Sequence, residues 1–451
     1  MAFSGYLYNS ANIQPFSGHL GLPELRCPDL DAIGTPFEYF NASQSPVFGA
    51  AIPMGPWDAA AARSKLWVIE DDQRTPFGSQ GAGPFGYCLT VAEYAAKARL
   101  NLLVTGTGIY GVGSYLRLMD QRGLFHADLN DTNATAAVWR AIAQARDDLI
   151  ELQARPAAPA VAATASQTGK AGWTLTPQVV LFTDSTSALF WRLATGEHHS
   201  LEDHAKGACP PGHWPCSDPL SWNQNVLIDP VLALGTLGAP LRQYQLTDLL
   251  LDECPPGSQQ KQQKQNGCLP VEGLRLAIFT NAHVLPDAVR SAIAEKLARN
   301  NVTLAFSYAA GVLDANGDII PGGIGAATGL GGSVVRGNGS LLLNVSLDVG
   351  ELSRWYGIGD QHPFPDPVDP WFYLDDVSGG GGRRTPAKAC SSMARYNANG
   401  KVAIGRCQLA DHAVVYSGLP VMPTPLWREV ARLAGVHAVV DGDAVVEVAG
   451  T

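Results

Sequence analysis

The densest concentration of reactive side chains in the 451-residue sequence follows one short apolar run, Lys65-Leu-Trp-Val-Ile-Glu70-Asp71-Asp72-Gln-Arg74. Three acids stand where a strand-like segment ends, and a guanidinium lies four residues after the first of them. A carboxylate held beside an arginine stays ionised and can act as a nucleophile or a base. In barrel-type α/β folds the C-terminal ends of the strands carry the active site. The plainer reading, a solvated acidic loop after a strand, is the one composition alone favours.

Other groupings are weaker. Gly106-Thr-Gly108-Ile-Tyr-Gly111 satisfies the dinucleotide fingerprint after a strand, with Asp131 twenty residues beyond Gly111. The fingerprint must open a helix, and its acid must end a second strand. Residues 116–129 do not supply that pattern, so a Gly-rich turn is the better reading and a nucleotide-dependent oxidoreductase the lesser rival. His198, His199, His204, Cys209, His213 and Cys216 crowd together, but Pro210, Pro211 and Pro215 suit a disulfide-closed loop better than zinc. No metal site and no cofactor are expected. A nucleophile elbow in the second half would fall at 305–311, which holds no Cys, and Ser307 lacks the flanking glycines of such a turn. That unit is expected to be structural or oligomer-forming.

The elements that must position these groups are read from periodicity. In residues 1–155, strands at 65–70 and 100–105 alternate with helices at 91–99 and 134–155, the pattern of an α/β layer with a parallel sheet. Residues 156–176 form a low-complexity linker rich in Ala. Strands at 179–182, 274–280 and 302–308, with helices at 227–237 and 286–299, describe a flavodoxin-like doubly wound domain over 177–363. Insertions at 198–222 and 254–268 interrupt it, and the Gly-rich stretch 322–332 reads as a flexible loop. In residues 364–451, paired strands at 402–409 and 413–417, a helix at 425–434 and a hairpin around 441–443 form a small α/β element.

Composition limits the partners. With 46% hydrophobic and 16% charged residues, most of the chain must fold. A net charge of −10 argues against binding a nucleic-acid backbone. No apolar run of about 18 residues marks a membrane span, and residues 1–6 show neither the basic nor the apolar region of a signal peptide. Six of seventeen Asn (Asn41, Asn130, Asn133, Asn301, Asn338, Asn344) head Asn-x-Ser/Thr triplets, against about two expected by chance. Eight Cys include the pairs Cys209/Cys216 and Cys254/Cys268, each able to close a short loop. Together these favour a secretory, vacuolar or extracellular location.

A family resemblance rests on particular strings. Asp29-Leu-Asp-Ala-Ile-Gly-Thr-Pro36-Phe-Glu-Tyr39, followed by Lys65-Leu-Trp-Val-Ile-Glu70-Asp-Asp-Gln-Arg74-Thr75, resembles late strands of a clan A glycosidase barrel. It is similar to β-galactosidases of glycoside hydrolase family 42. Residues 182–250, ending Gly238-Ala-Pro-Leu-Arg-Gln-Tyr-Gln-Leu-Thr-Asp248, and Leu274-Arg-Leu-Ala-Ile-Phe-Thr-Asn281 resemble the trimerisation domain of those enzymes. That domain is an amidotransferase-like α/β fold without its nucleophile. Val415-Tyr-Ser-Gly-Leu-Pro420 and Leu433-Ala-Gly-Val-His437 resemble the tail of the same proteins.

The resemblance implies a partial (β/α)8 barrel over 1–155, of about its last four strand-helix units, then the trimerisation domain and a small C-terminal domain. It implies that Glu70 is the nucleophile of a retaining β-galactosidase-like hydrolase, with Asp72 and Arg74 supporting it. His19, Tyr39 and Tyr110 would line the sugar pocket, and the chain would form a homotrimer. A complete barrel takes about 250 residues, so strands one to four are expected to be missing and the chain to be the C-terminal half of a longer protein. The family's acid/base is a Glu preceded by Asn, and no Asn-Glu dipeptide occurs here. Glu24 and Glu38, the only Glu before Glu70, do not match it. The rival reading is a non-catalytic oligomerisation or carbohydrate-binding protein.

Overall fold

In a computed structural model, the described residues are 3–4, 27–30, 32–36, 66–71, 114–116 and part of 140–151, then most of 178–187, 234–254, 268–348, 361–375 and 389–438. They form α/β structure with two sheets. The first holds β1 (Phe3–Ser4), β2 (Ala32–Pro36), β3 (Leu66–Asp71) and β4 (Ser114–Leu116). All neighbours are parallel, and the strands lie in sequence order. β3 is the Leu-Trp-Val-Ile-Glu-Asp run expected from its β-branched and aromatic content. The strand expected at 100–105 and the helix at 91–99 lie outside the described residues. The described positions between 140 and 151 are helical, within the expected 134–155.

The second sheet mixes parallel and antiparallel strands. Its parallel part comprises β5 (Val179–Thr183), β6 (Leu241–Gln245), β7 (Leu276–Phe279), β8 (Thr303–Ser307) and, much later in the chain, β15 (Ala413–Ser417). They lie in the spatial order β6-β5-β7-β8-β15. Numbered among themselves this is 2-1-3-4-5, an order of doubly wound sheets. β5, β7, β8 and β15 are buried at every residue, as strands covered on both faces must be.

The antiparallel part extends the sheet beyond β15 through β14 (Val402–Gln408), β13 (Ala389–Tyr396), β10 (Leu341–Leu347) and β11 (Gln361–Val368). β12 (Phe372–Leu374) pairs with β14 and with β9 (Val334–Arg336). Strands before and after residue 363 therefore share one sheet. In β10, Leu343, Val345 and Leu347 are buried while their neighbours are not, the alternation of a sheet with one wet face. β11, the last strand of the path at this end, carries Pro363, Pro365 and Pro367 at alternate positions. Proline has no N–H, so the strand is a poor template for a further one.

Three α-helices have described bounds in this region. α1 (Asp287–Ala292) opens after Pro286, with Asp287 in its first turn, and continues through a wider π turn (Ile293–Leu297) and a tighter 3-10 turn (Ala298–Asn300). It ends at Asn301 in the left-handed conformation. α2 (Gly323–Thr328) stands where a flexible loop was expected. It forms because Gly323 and Gly325 let the helix approach the Gly311 and Gly331 backbones, whose carbonyl oxygens lie about 2 Å from where a Cβ would sit. α3 (Thr424–Leu433) buries Leu426, Trp427 and Val430 in the core. The Cys254–Cys268 disulfide closes the second insertion, as its spacing suggested, and a second disulfide, Cys390–Cys407, joins opposed residues of β13 and β14.

Candidate functional site

Two places merit description, and the strand ends define both. Glu70 is the next-to-last residue of β3, in register with Pro36 of β2 and Tyr115 of β4. It therefore sits at the C-terminal end of the parallel sheet. Asp72, Arg74, His19, Tyr39 and Tyr110 lie outside the described residues, as do the Gly106–Gly111 fingerprint and the His/Cys cluster at 198–216. The structure thus places Glu70 on its strand, and of the expected site residues it is the one that lies among the described residues. Among the described residues, no group of three or more His, Cys, Asp or Glu could hold a metal ion.

The second place is the C-terminal end of the larger sheet's parallel strands. Register aligns Tyr244, Phe182, Phe279, Phe306 and Tyr416 in one row across all five strands. Neighbouring rings along the row are 6.2, 5.3 and 4.7 Å apart from Tyr244 to Phe306, the last two pairs stacked. One residue further, Gln245, Thr183, Ser307 and Ser417 end their strands and Thr280 follows the end of β7, all buried. Consecutive strand residues face opposite sides, so an aromatic row on one face is followed by a polar row on the other.

In doubly wound sheets ligands bind where the strand order reverses, here between β5 and β7. That position is stitched by side chains. The Asp184 N–H donates to Asn281 Oδ1 at 2.8 Å, and Asn281 Nδ2 donates back to the Asp184 carbonyl at 2.7 Å. The Asp184 carboxylate accepts from Thr186 N, Ser187 N and Ser187 Oγ at 3.2, 2.8 and 2.5 Å. Ser187 Oγ in turn accepts from Val284 N at 2.9 Å. Burial pushes the Asp184 carboxyl above the usual carboxylate range, while the Ser187 and Thr186 hydrogen bonds pull the other way.

The strand-end turn after β8 holds a residue in the left-handed conformation, as a nucleophile elbow does, but with no helix directly after it and with a tyrosine at that position. Tyr308 has φ of 57°, a strained conformation for an aromatic residue. It is held from several sides: its N–H donates to the Ser417 carbonyl at 2.6 Å, and its carbonyl accepts from Tyr416 Oη at 2.6 Å. Its hydroxyl donates to the Pro370 carbonyl, and its ring meets Phe372 edge-on. His283 faces the same ring at 6.1 Å. Desolvation lowers the imidazole to about 4, and the Ala309 backbone opposes this only in part, so the ring is neutral at pH 7. The arrangement can fix loops; it presents no solvent-facing nucleophile.

Sequence reading missed the Asp184–Asn281 pair, although a signal was present. Phe182-Thr-Asp184, Phe279-Thr-Asn281, Phe306-Ser-Tyr308 and Tyr416-Ser-Gly418 repeat an aromatic-hydroxyl-variable ending on four strands. Aligning those endings would have placed the third residue of each at one sheet edge.

Comparison with solved structures adds the fold. The β-galactosidase from Rahnella sp. R3 superposes with a TM-score of 0.54 and 11% identity over 92% of this chain and 52% of its own. The β-galactosidase from the haloarchaeon Halorubrum lacusprofundi gives 0.50 and 13%, over 96% and 54%. The chain is similar in fold to β-galactosidases. A GH42 β-galactosidase from G. stearothermophilus aligns at 0.44 with 10% identity, over 93% of this chain and 55% of its own. The chain spans about half the length of these enzymes. No protein-family model and no curated protein matches the sequence. Among the described residues, no helix is long and apolar enough to cross a membrane.

Proposed function

We propose that this chain is a β-galactosidase-like glycoside hydrolase acting on O-glycosidic bonds with retention, with Glu70 as nucleophile. The observation that carries the reading is the position of Glu70 at the C-terminal end of a parallel sheet whose strands follow sequence order. Adjacent parallel strands in sequence order are what (β/α)8 barrels are built from, and their active sites lie at that end. The fold similarity to β-galactosidases supports it. In this reading residues 1–155 are a partial barrel, 156–176 a linker and 177–363 an amidotransferase-like trimerisation domain, whose sheet continues through the strands of the C-terminal segment 364–451.

Glu70 attacks the anomeric carbon as the glycosidic C–O bond breaks and a second carboxylic acid protonates the leaving oxygen. Water then hydrolyses the glycosyl ester and returns a proton to that second group. Arg74 keeps the Glu70 carboxylate ionised, Asp72 supports the site beside it, and His19, Tyr39 and Tyr110 hold the sugar. The second carboxyl is not assigned to a residue of this chain. A 2-deoxy-2-fluoro-galactosyl fluoride tests the nucleophile, because it forms the glycosyl ester and hydrolyses slowly. Peptide mapping should find the sugar on Glu70; a label on another carboxylate would overturn the assignment.

The closed strand-order reversal favours a second role for the larger sheet. With Asp184 and Asn281 bonded across it and Tyr308 filling the elbow, this part of the chain serves assembly rather than chemistry. An oligomerisation or carbohydrate-binding protein without turnover is the reading that remains if no label forms and aryl galactosides are not cleaved.

A further inference from the structure

Six Asn-x-Ser/Thr triplets stand outside the chemistry proposed above, and the structure separates the three it describes. Asn301 follows the last turn after α1, in the left-handed conformation with φ 57° and ψ 30°, and is exposed. Asn338 is exposed in the turn between β9 and β10, followed by Gly339 at φ 71°. Asn344 is different. It lies inside β10, opposite Pro363 of β11, and its carbonyl accepts from Asn397 N at 2.8 Å. Its side-chain oxygen is buried, although the residue as a whole is only half-buried and lies on the face opposite Leu343 and Val345.

We propose that the protein carries N-linked oligosaccharide at Asn301 and Asn338 and not at Asn344. The donor class is an oligosaccharide on a polyprenyl diphosphate. The bond from the sugar's anomeric carbon to the diphosphate breaks, the lipid diphosphate leaves, and Nδ2 of the asparagine bonds that carbon and loses one proton. A glycan is bulky and must lie in water. At Asn301 and Asn338 it would extend from turns that the strands and helices do not cover. At Asn344 it would have to grow from a carboxamide whose oxygen is buried, in the middle of a strand flanked by β11 and β13. Because the sugar is added before folding is complete, a modified Asn344 would oppose closure of this sheet, and folded molecules would lack it.

The two disulfides point the same way by a separate route. Cys254–Cys268 closes an insertion loop and Cys390–Cys407 joins two strands, and such bonds persist in the oxidising compartments where these triplets are glycosylated. The inference does not depend on Glu70 or on any hydrolase activity.

The test is peptide mapping of the full-length protein purified from its source, after enzymatic deglycosylation in heavy-oxygen water, which converts each occupied Asn to a labelled Asp. Labelled Asp is expected at 301 and 338 and unmodified Asn at 344. Unmodified Asn at 301 or at 338 overturns the assignment at that residue, and labelled Asp at 344 overturns the structural selection. As a second readout, Asn301→Gly keeps a residue suited to the left-handed cap. It should raise gel mobility by one glycan's worth while the protein remains folded; unchanged mobility overturns the site.

Discussion

Asp184 and Asn281, 97 residues apart, exchange two hydrogen bonds across the gap between β5 and β7, one of 2.8 Å from backbone to side chain and one of 2.7 Å in return. Asn281 thus behaves as a piece of backbone, satisfying both the N–H and the C=O of a buried residue where the sheet ladder ends. Asn281→Ala would leave those two groups buried and unpaired. The expected cost is about 3 kcal/mol, read as a lower midpoint of urea unfolding at unchanged slope. A loss below about 0.5 kcal/mol would mean that the pair holds nothing.

His283 gives the fold an acid-sensitive group. Its folded value of about 4 lies below the unfolded one of about 6.5. Between those values the unfolded chain binds a proton that the folded chain does not, so stability falls as pH falls through this window. From pH 7 to pH 5 the loss attributable to this group is about 2 kcal/mol. Asp184, with its value raised, acts in the opposite direction: its contribution diminishes as pH rises above the ordinary carboxylate range. Comparing urea unfolding of the native chain and His283→Phe at the two pH values isolates the histidine. Equal pH slopes for the two proteins would remove it as the cause.

Glu70→Gln keeps the size of the side chain and removes its nucleophilic charge. If Glu70 is the nucleophile, the variant of a protein that also supplies the second carboxyl should hydrolyse aryl β-galactosides at least about a thousandfold more slowly, with the circular dichroism spectrum retained. Undiminished turnover would return Glu70 to the role of a solvated acid at a strand end.

Phe279 sits in the middle of the aromatic row, stacked on Phe182 at 5.3 Å and on Phe306 at 4.7 Å. Phe279→Ala should cost about 3–5 kcal/mol, because the two flanking rings cannot close the space between fixed strands. Phe279→Leu should recover most of that, since it refills the volume. Calorimetric unfolding of both variants would show whether the row is a packing unit.

The Cys390–Cys407 bond spans 17 residues of chain between paired strands. Replacing both with Ser should lower stability by about 3 kcal/mol, mainly by freeing the unfolded chain. The loss would appear in the double variant and in the native protein after reduction alike. A change confined to the reduced native protein would point to the other cysteines.

Much of the local architecture is legible in the sequence. Val179-Val-Leu-Phe-Thr183, Leu276-Ala-Ile-Phe279 and Ala413-Val-Val-Tyr-Ser417 are apolar runs of strand length, and 286–299 has helical spacing ended by Asn. Glu70 could be assigned to the end of a strand because five residues of Leu66-Trp-Val-Ile-Glu70 suffice to define it. α2 was missed because its turn-forming glycines, which argue locally for a loop, serve close approach to two other backbone segments.

What the sequence by itself determined was the type of each element and the chemistry available at its end, since these depend on side chains a few residues apart. The tertiary structure alone decided that 413–417 is the fifth parallel strand, reached after an antiparallel excursion of β9 to β14. It alone put Asp184 beside Asn281 and turned Tyr308 into the left-handed elbow under Ser417. Register is set by burying whole faces against distant strands and by satisfying the backbone groups where the ladders stop. Those conditions join residues about a hundred positions apart, and no local pattern records them.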